Sequence, residues 1–221
     1  MKYIDIEQRS EEWFDFKVGK ISGTRFGQLA SDRDNKLPFA LANEVLNGYI
    51  TPDDYTSDEM QFGIDNEDIA LDKYEALSGL KFMRGGVMLS DENDNHMASP
   101  DGITSDFKIV AEIKCTMNGE TQIERFINGV PKQYIPQICN YFAVAPQLHE
   151  VHFVSYCPFR PERELVTHVI TRDFIISKKE FKTKPDEITT VQDVVNEATS
   201  RIPQIKADVL EIIEKFITIE F

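Results

Sequence analysis

The sequence predicts an α/β protein in which helices flank a small mixed sheet. Three observations lead there. Segments with helical periodicity fill the first third and the C-terminal end. Short runs rich in β-branched and aromatic residues alternate with further helices in between. No repeat or low-complexity linker divides the 221 residues, so a single domain over 1–221 is expected.

Each element has a local reason. Glu11–Phe16 and Ser22–Ala30 read as short helices, with Ser22 or Thr24 available to cap the second. Pro38–Tyr49 begins with Pro in a first turn and is followed by Thr51-Pro52. Asp58–Leu77 places Phe62, Ile69, Tyr74 and Leu77 along a longer helix that Gly79 stops. Phe82–Leu89 and Ile109–Cys115 read as strands, and Gly119–Asn128 and Gln133–Ala145 as helices. Val151–Tyr156 and Leu165–Thr171 are again strands. Ser177 to Asp186, with four Lys and one Pro, reads as a surface loop before a last helix, Ile188–Phe216.

Composition narrows the class. A 41% hydrophobic and 10% aromatic content excludes a disordered acidic chain. No apolar run approaches the roughly 20 residues of a membrane span, and Met1–Ser10 lacks the apolar core of a signal peptide. Cys115, Cys139 and Cys157 are too few for a disulfide framework, which suits a reducing cytoplasm. Two lone histidines, His149 and His152, do not make a zinc site. The lone tryptophan, Trp13, reads as core beside the first helix, with base stacking as the alternative.

The net charge, 24 − 38 = −14, argues at first against a nucleic acid partner. It is unevenly spread. Residues 50–106 hold 14 acids and 3 bases, whereas 107–185 hold 8 acids and 11 bases. Without residues 50–106 the balance is 21 − 24 = −3. A local basic or metal-loaded surface therefore remains compatible with the total.

The stretch with chemical content is Ser99-Pro100-Asp101-Gly102, then Glu112-Ile113-Lys114. Pro-Asp-Gly is a turn signature by itself. Glu112 and Lys114 lie in an apolar strand, where period-two alternation puts them on one face and Ala111, Ile113 and Cys115 on the other. An edge strand with a solvated charged face is one reading. The other is a return from Asp101 to Glu112 that brings two carboxylates to the same sheet end. Such a pair about 4 Å apart repels by about 4 kcal/mol at an effective dielectric near 20. It calls for a divalent cation or a shifted pKa. A nearby Lys on the same face can orient or deprotonate water, or stabilise transition-state charge. Asp…Glu-x-Lys is thus a minimal set for metal-assisted phosphodiester hydrolysis.

Pro100-Asp101 with Glu112-Ile113-Lys114 resembles the PD-(D/E)xK nuclease motif. The segments Gln8-Arg9-Ser10, Trp13 and Lys17–Thr24 resemble the opening of the phage lambda exonuclease family, the YqaJ-type viral recombinase nucleases. Gly63 to Glu67 resembles that family's Gly-x-x-x-Glu helix, and Pro136-Gln137…Tyr141 its glutamine helix. Order and spacing agree from about residue 7 to residue 173.

The resemblance implies a restriction-endonuclease-like α/β core. It also implies a Mg²⁺-dependent 5′→3′ exonuclease on double-stranded DNA ends, leaving 3′ single strands for phage-type recombination. Asp101, Glu112, the Ile113 carbonyl and Glu67 would hold two Mg²⁺ ions, with Mn²⁺ as a substitute. Lys114 would position water, and Gln137 would sit over the site. A terminal 5′-phosphate would meet Lys17, Thr24 and Ser99. Lys17 stands where the family has Arg, so it binds as a point charge and not as a fork; Arg25 is a candidate helper. A homotrimeric ring, a single-strand annealing protein as partner, and the cytoplasm of a bacterial host carrying the phage or prophage follow from the same resemblance. The surplus acids are expected to face away from the duplex path, with Lys and Arg lining it. Two other functions stay open: an endonuclease or structure-specific nuclease of the same fold, and a non-catalytic acidic DNA mimic.

Overall fold

The computed structural model describes residues 1–30, 36–50, 57–177 and 188–218. In chain order the elements are β1 (Lys2–Ile4), α1 (Glu11–Lys17), α2 (Gly23–Ala30), α3 (Leu37–Asn47) and α4 (Asp58–Ser78). Four short strands follow: β2 (Met83–Arg84), β3 (Val87–Leu89), β4 (Met97–Ala98) and β5 (Gly102–Ile103). Then come β6 (Ile109–Cys115), α5 (Gly119–Asn128), α6 (Ile135–Val144), β7 (Glu150–Tyr156) and β8 (Leu165–Ile170). β9 (Ile175–Ser177), β10 (Ile188–Thr190) and α7 (Val191–Thr218) complete the described chain. The expected Thr51-Pro52 stop, and residues 178–186 of the expected surface loop, lie outside the described residues.

The fold class is the one the sequence predicts: a mixed central sheet between helices. Its strand order is β2-β5-β6-β7-β8, with β6 and β7 parallel and the remaining pairs antiparallel. β6 is therefore an interior strand, and the edge-strand reading of Ile109–Cys115 is excluded. Alternation along β6 divides the core. Val110 joins Phe26, Ile138, Phe142, Phe153 and Val195 on the side of α2, α6 and α7. Ala111 and Ile113 join Ala70, Leu71, Tyr74 and Phe82 on the side of α4. Glu112 and Lys114 thus point to the α6 side.

The signals at the two ends of α4 act locally. The Ser57 hydroxyl accepts the Met60 N–H at 3.2 Å, and Gly79 closes α4 in the left-handed conformation at φ 74°. Ser22 sits just ahead of α2, but its hydroxyl pairs with that of Thr24 at 3.3 Å.

Two expectations are corrected. Phe82–Leu89 is not one strand. Gly85 and Gly86, at φ 67° and 77°, turn the chain so that β2 joins the central sheet and β3 joins a separate β1-β3-β4 sheet. A Cβ at Gly86 would lie 2.3 Å from the Tyr3 hydroxyl, so a side chain cannot be added there. Second, Ile188–Thr190 is not the start of a helix but a strand paired with β9. The last helix begins after a reciprocal cap, in which the Thr190 N–H reaches Asp193 and the Asp193 N–H reaches the Thr190 hydroxyl, each at 3.1 Å.

Candidate active site

The β5/β6 register builds the centre. Gly102 faces Ala111 and Ile103 faces Val110, so the next step along the antiparallel pair sets Asp101 beside Glu112. The Asp101 Oδ2 accepts the Ile113 N–H at 2.6 Å. The turn before it is pinned from other elements: the Gln8 amide donates to the Pro100 carbonyl at 2.8 Å, and the Trp13 Nε1–H donates to the Ser99 hydroxyl at 2.9 Å.

Glu112 is fully buried. An ionised carboxylate in that position must be paired and hydrogen-bonded. The Lys114 ammonium donates to its Oε1, and the Tyr141 hydroxyl donates to its Oε2. The Gln137 amide adds a 2.9 Å bond to Oε2. Gln137 and Tyr141 share a face of α6, one turn apart. Lys114 also donates to the Ile113 carbonyl at 3.0 Å, and its own carbonyl accepts from Arg125 at 3.0 Å.

The charges interact strongly. Burial, and then the neighbouring Glu112, push the Asp101 carboxyl well above the usual carboxylate range, against the pull of Lys114. Burial alone would lower Lys114, but Glu112 and Asp101 raise it, so this side chain stays an ammonium. Burial and Glu112 also raise the Tyr141 phenol, which therefore remains a donor.

A cavity of about 230 Å³ opens over this centre. Asp101, Lys114 and Gln137 line it, as do Glu67, Lys17, Thr24 and Ser99. Elements from residue 17 to residue 137 thus bring seven sequence-predicted site residues to one cavity. Glu112 is buried beneath it, and Ile113 lines an adjoining cavity of about 540 Å³ that shares Arg9, Glu67 and Lys114. Arg25 does not line the site; both arms of its guanidinium are held by the buried Glu44, one at 2.9 Å. Burial, with Arg25 nearby, lowers Lys17, and Glu44 opposes this. The charged walls are mixed rather than basic: Arg9, Lys17 and Lys114 stand with Glu67 and Asp101.

Three contributors were not among the candidate site residues. Tyr141 completes the bonding of Glu112, and its spacing from Gln137 is the signal that could have found it. Arg9 binds Glu67 at 2.9 Å. Trp13 packs, half-buried, against the small core cluster of Ile6, Val87 and Met97, and its indole also lines the cavity, with the Lys17 ammonium 3.9 Å from the ring centroid.

The donors available to a metal are all oxygens: Asp101, Glu112 and the Ile113 carbonyl, with Glu67 on the same cavity wall. Among the described residues no three His, Cys, Asp or Glu side chains form a cluster able to hold an ion by themselves. An all-oxygen donor set of two carboxylates and a carbonyl, completed by waters, suits a hard cation and not a soft one. The raised Asp101 carboxyl, beside a second acid, marks where a cation would relieve repulsion.

Comparison with known proteins gives a consistent result. The model of the YqaJ-like viral recombinase domain matches residues 12–147. An alkaline exonuclease from Laribacter hongkongensis, LHK-Exo, superposes with a TM-score of 0.72 at 23% identity, covering 94% of this chain and 98% of that one. Its complex with dAMP gives 0.73 over the same shares at the same identity. A phage-related exonuclease from Haemophilus somnus 129PT gives 0.50 at 15% identity, covering 86% of this chain and 96% of that one. At these identities the likeness is one of fold. No protein of curated function matches. No described helix is long and apolar enough to cross a membrane.

Proposed function

The chain belongs to the YqaJ-like viral recombinase domain family, and on that premise we propose that it is a Mg²⁺-dependent exonuclease working 5′→3′ on double-stranded DNA ends. It releases 5′-mononucleotides and leaves 3′ single strands for phage-type recombination. The same reading makes residues 1–221 one nuclease domain, acting as a homotrimeric ring in the cytoplasm of a bacterial host, with a single-strand annealing protein as partner.

One observation carries the reading: Asp101, Lys114 and Gln137 share a cavity with Lys17, Thr24 and Ser99, so hydrolytic and anion-binding groups face the same space. A relative of the same fold, solved with dAMP, adds support, because a nucleoside monophosphate is what stepwise release produces.

The chemistry follows from these groups. Lys17, Thr24 and Ser99 hold the terminal 5′-phosphate, which sets the next phosphodiester over Asp101 and Glu112. Asp101, Glu112 and the Ile113 carbonyl would hold the cation, with Glu67 joining directly or through water. A cation held there would supply an activated water and offset charge on the scissile phosphate. Lys114 donates a hydrogen bond that aims the water at phosphorus, and Gln137 donates to the water or a phosphate oxygen. Water attacks phosphorus, the P–O3′ bond breaks, and the shortened strand carries a new 5′-phosphate. Each turnover thus regenerates the anion that the pocket holds.

The test uses linear duplex with either a 5′-phosphate or a 5′-hydroxyl, with and without Mg²⁺, for wild type and Asp101→Ala. Release should require Mg²⁺ and Asp101 and should be about tenfold faster from phosphorylated ends, the worth of one charge-assisted contact. Equal rates on both ends, or cutting of closed circles, would instead favour an endonuclease. Absence of Mg²⁺-dependent hydrolysis would favour a DNA mimic.

A further inference from the structure

We propose that Trp13 is a positioning residue for the terminal phosphate, holding Lys17 and Ser99 in place before DNA arrives. The inference rests on the end-phosphate reading above. Its basis is that one indole touches two of the three residues assigned to the phosphate. The ring face carries the Lys17 ammonium 3.9 Å from its centroid, and the ring N–H donates to the Ser99 hydroxyl at 2.9 Å.

The arrangement answers a weakness in the pocket. A lysine is a compact charge on a flexible four-carbon stem, and it lacks the rigid fork with which arginine grips a phosphate. Stacking on the indole restricts that stem while leaving the ammonium free to donate. The N–H to Ser99 bond fixes the orientation of the serine: its oxygen accepts from the indole, so its hydrogen remains available to an anion. Trp13 is itself set by the start of α1, where the Ser10 hydroxyl accepts the Trp13 N–H at 3.2 Å. The platform therefore belongs to a capped helix and not to a loose loop.

Because Trp13 is the only tryptophan, its fluorescence reports on the pocket directly. In chelator, the full-length protein is titrated with duplex carrying a 5′-phosphate and with the same duplex carrying a 5′-hydroxyl. The emission should change with the phosphate and not with the hydroxyl, and Lys17→Met should abolish the difference. Release of the first nucleotide is then compared on both ends for wild type, Trp13→Phe and Trp13→Leu. Trp13→Leu should remove most of the roughly tenfold phosphate-to-hydroxyl preference, from the combined loss of stacking and hydrogen bond. Trp13→Phe keeps a ring for Lys17 and should fall in between. Identical emission with both ends, or a Trp13→Leu variant that slows both ends equally, overturns the inference. Should Trp13→Leu not fold, the wild-type emission decides alone. A wild type with no phosphate preference would remove the end-phosphate reading and this inference together. A wild type with the preference, retained in Trp13→Leu, would remove only this inference.

Discussion

The strand β6 and the helix α4 each supply an acid to the same site, and they do so in opposite ways. Glu112 is sealed in the middle of the sheet with donors from Lys114, Gln137 and Tyr141 on its two oxygens. Glu67 lies at a partly solvated position of α4, where Arg9 holds it at 2.9 Å; the Arg9 side chain is 46% exposed and that of Glu67 23%. A buried carboxylate is fixed because every alternative position leaves charge unpaired in a medium of low polarity. A partly solvated one can exchange its partner for water at little cost. The strand thus provides fixed geometry, and the helix provides an acid with room to reorient.

The largest expected effect is at the strand. Lys114→Met removes the ammonium bonded to Glu112 and the donor assigned to the attacking water. Loss of one preorganised donor at a reacting centre typically slows chemistry about 10²–10³-fold. Single-turnover nucleotide release at saturating Mg²⁺ should show that loss, while affinity for a 5′-phosphorylated end changes far less. A tenfold or smaller effect would mean that the fixed region does not direct the chemistry.

Asp101 separates function from stability. Its carboxyl is raised above the usual range, so ionisation is disfavoured in the folded protein relative to the unfolded chain. The folded state carries no such penalty below the unfolded pKa near 3.8; the penalty grows as pH rises from there toward the folded pKa. Asp101→Asn, which keeps an oxygen for the Ile113 N–H, should therefore melt higher than wild type in chelator at pH 8. Its advantage should shrink as pH falls toward 5, no faster than about 1.4 kcal/mol per pH unit. Added Mg²⁺ at about 100 times its dissociation constant should stabilise wild type by about 2.7 kcal/mol, and the variant hardly at all. Thermal melts with and without chelator at the two pH values check both signs.

Tyr141→Phe tests whether Glu112 depends on each donor. The phenol is buried and its hydroxyl donates to Glu112, so its loss leaves an oxygen of a buried carboxylate short of a partner. A cost of about 1–3 kcal/mol is expected, with a melting temperature lower by roughly 2–4 °C per kcal/mol. An unchanged melt would show that Gln137 alone satisfies that oxygen.

The same contrast explains what was legible in the sequence. A Glu and a Lys in an apolar strand conflict with their surroundings, and the conflict marks Glu112 and Lys114 as residues with a purpose. Long helices such as α4, with Ser57 and Gly79 at its ends, carry their signals locally. The two-residue strands β2, β4 and β5 are too short for a period to register, and they form only because partners far along the chain complete them. The supporting contacts were hidden for the same reason. Arg9 meets Glu67 across 58 residues and Trp13 meets Ser99 across 86. Tyr141, by contrast, stood one helical turn from a candidate, and only its aromatic ring favoured a packing role.

The smallest stability change, and the sharpest test of the contrast, is Glu67→Gln. An ion pair as exposed as Arg9–Glu67 contributes under about 1 kcal/mol, so the melting temperature should move by no more than roughly 4 °C. If Glu67 turns from Arg9 to complete the metal's surroundings during turnover, activity should nevertheless fall about 10–100-fold, as for groups that support metal ligands. The loss should be partly recovered at higher Mg²⁺, because a weakened ion site responds to concentration and a misfolded one does not. Arg9→Gln supplies the counterpart, removing the pair while leaving the carboxylate free. Wild-type activity in Glu67→Gln would reduce this acid to a surface partner of Arg9, and the helix would then contribute a wall to the site and no chemistry.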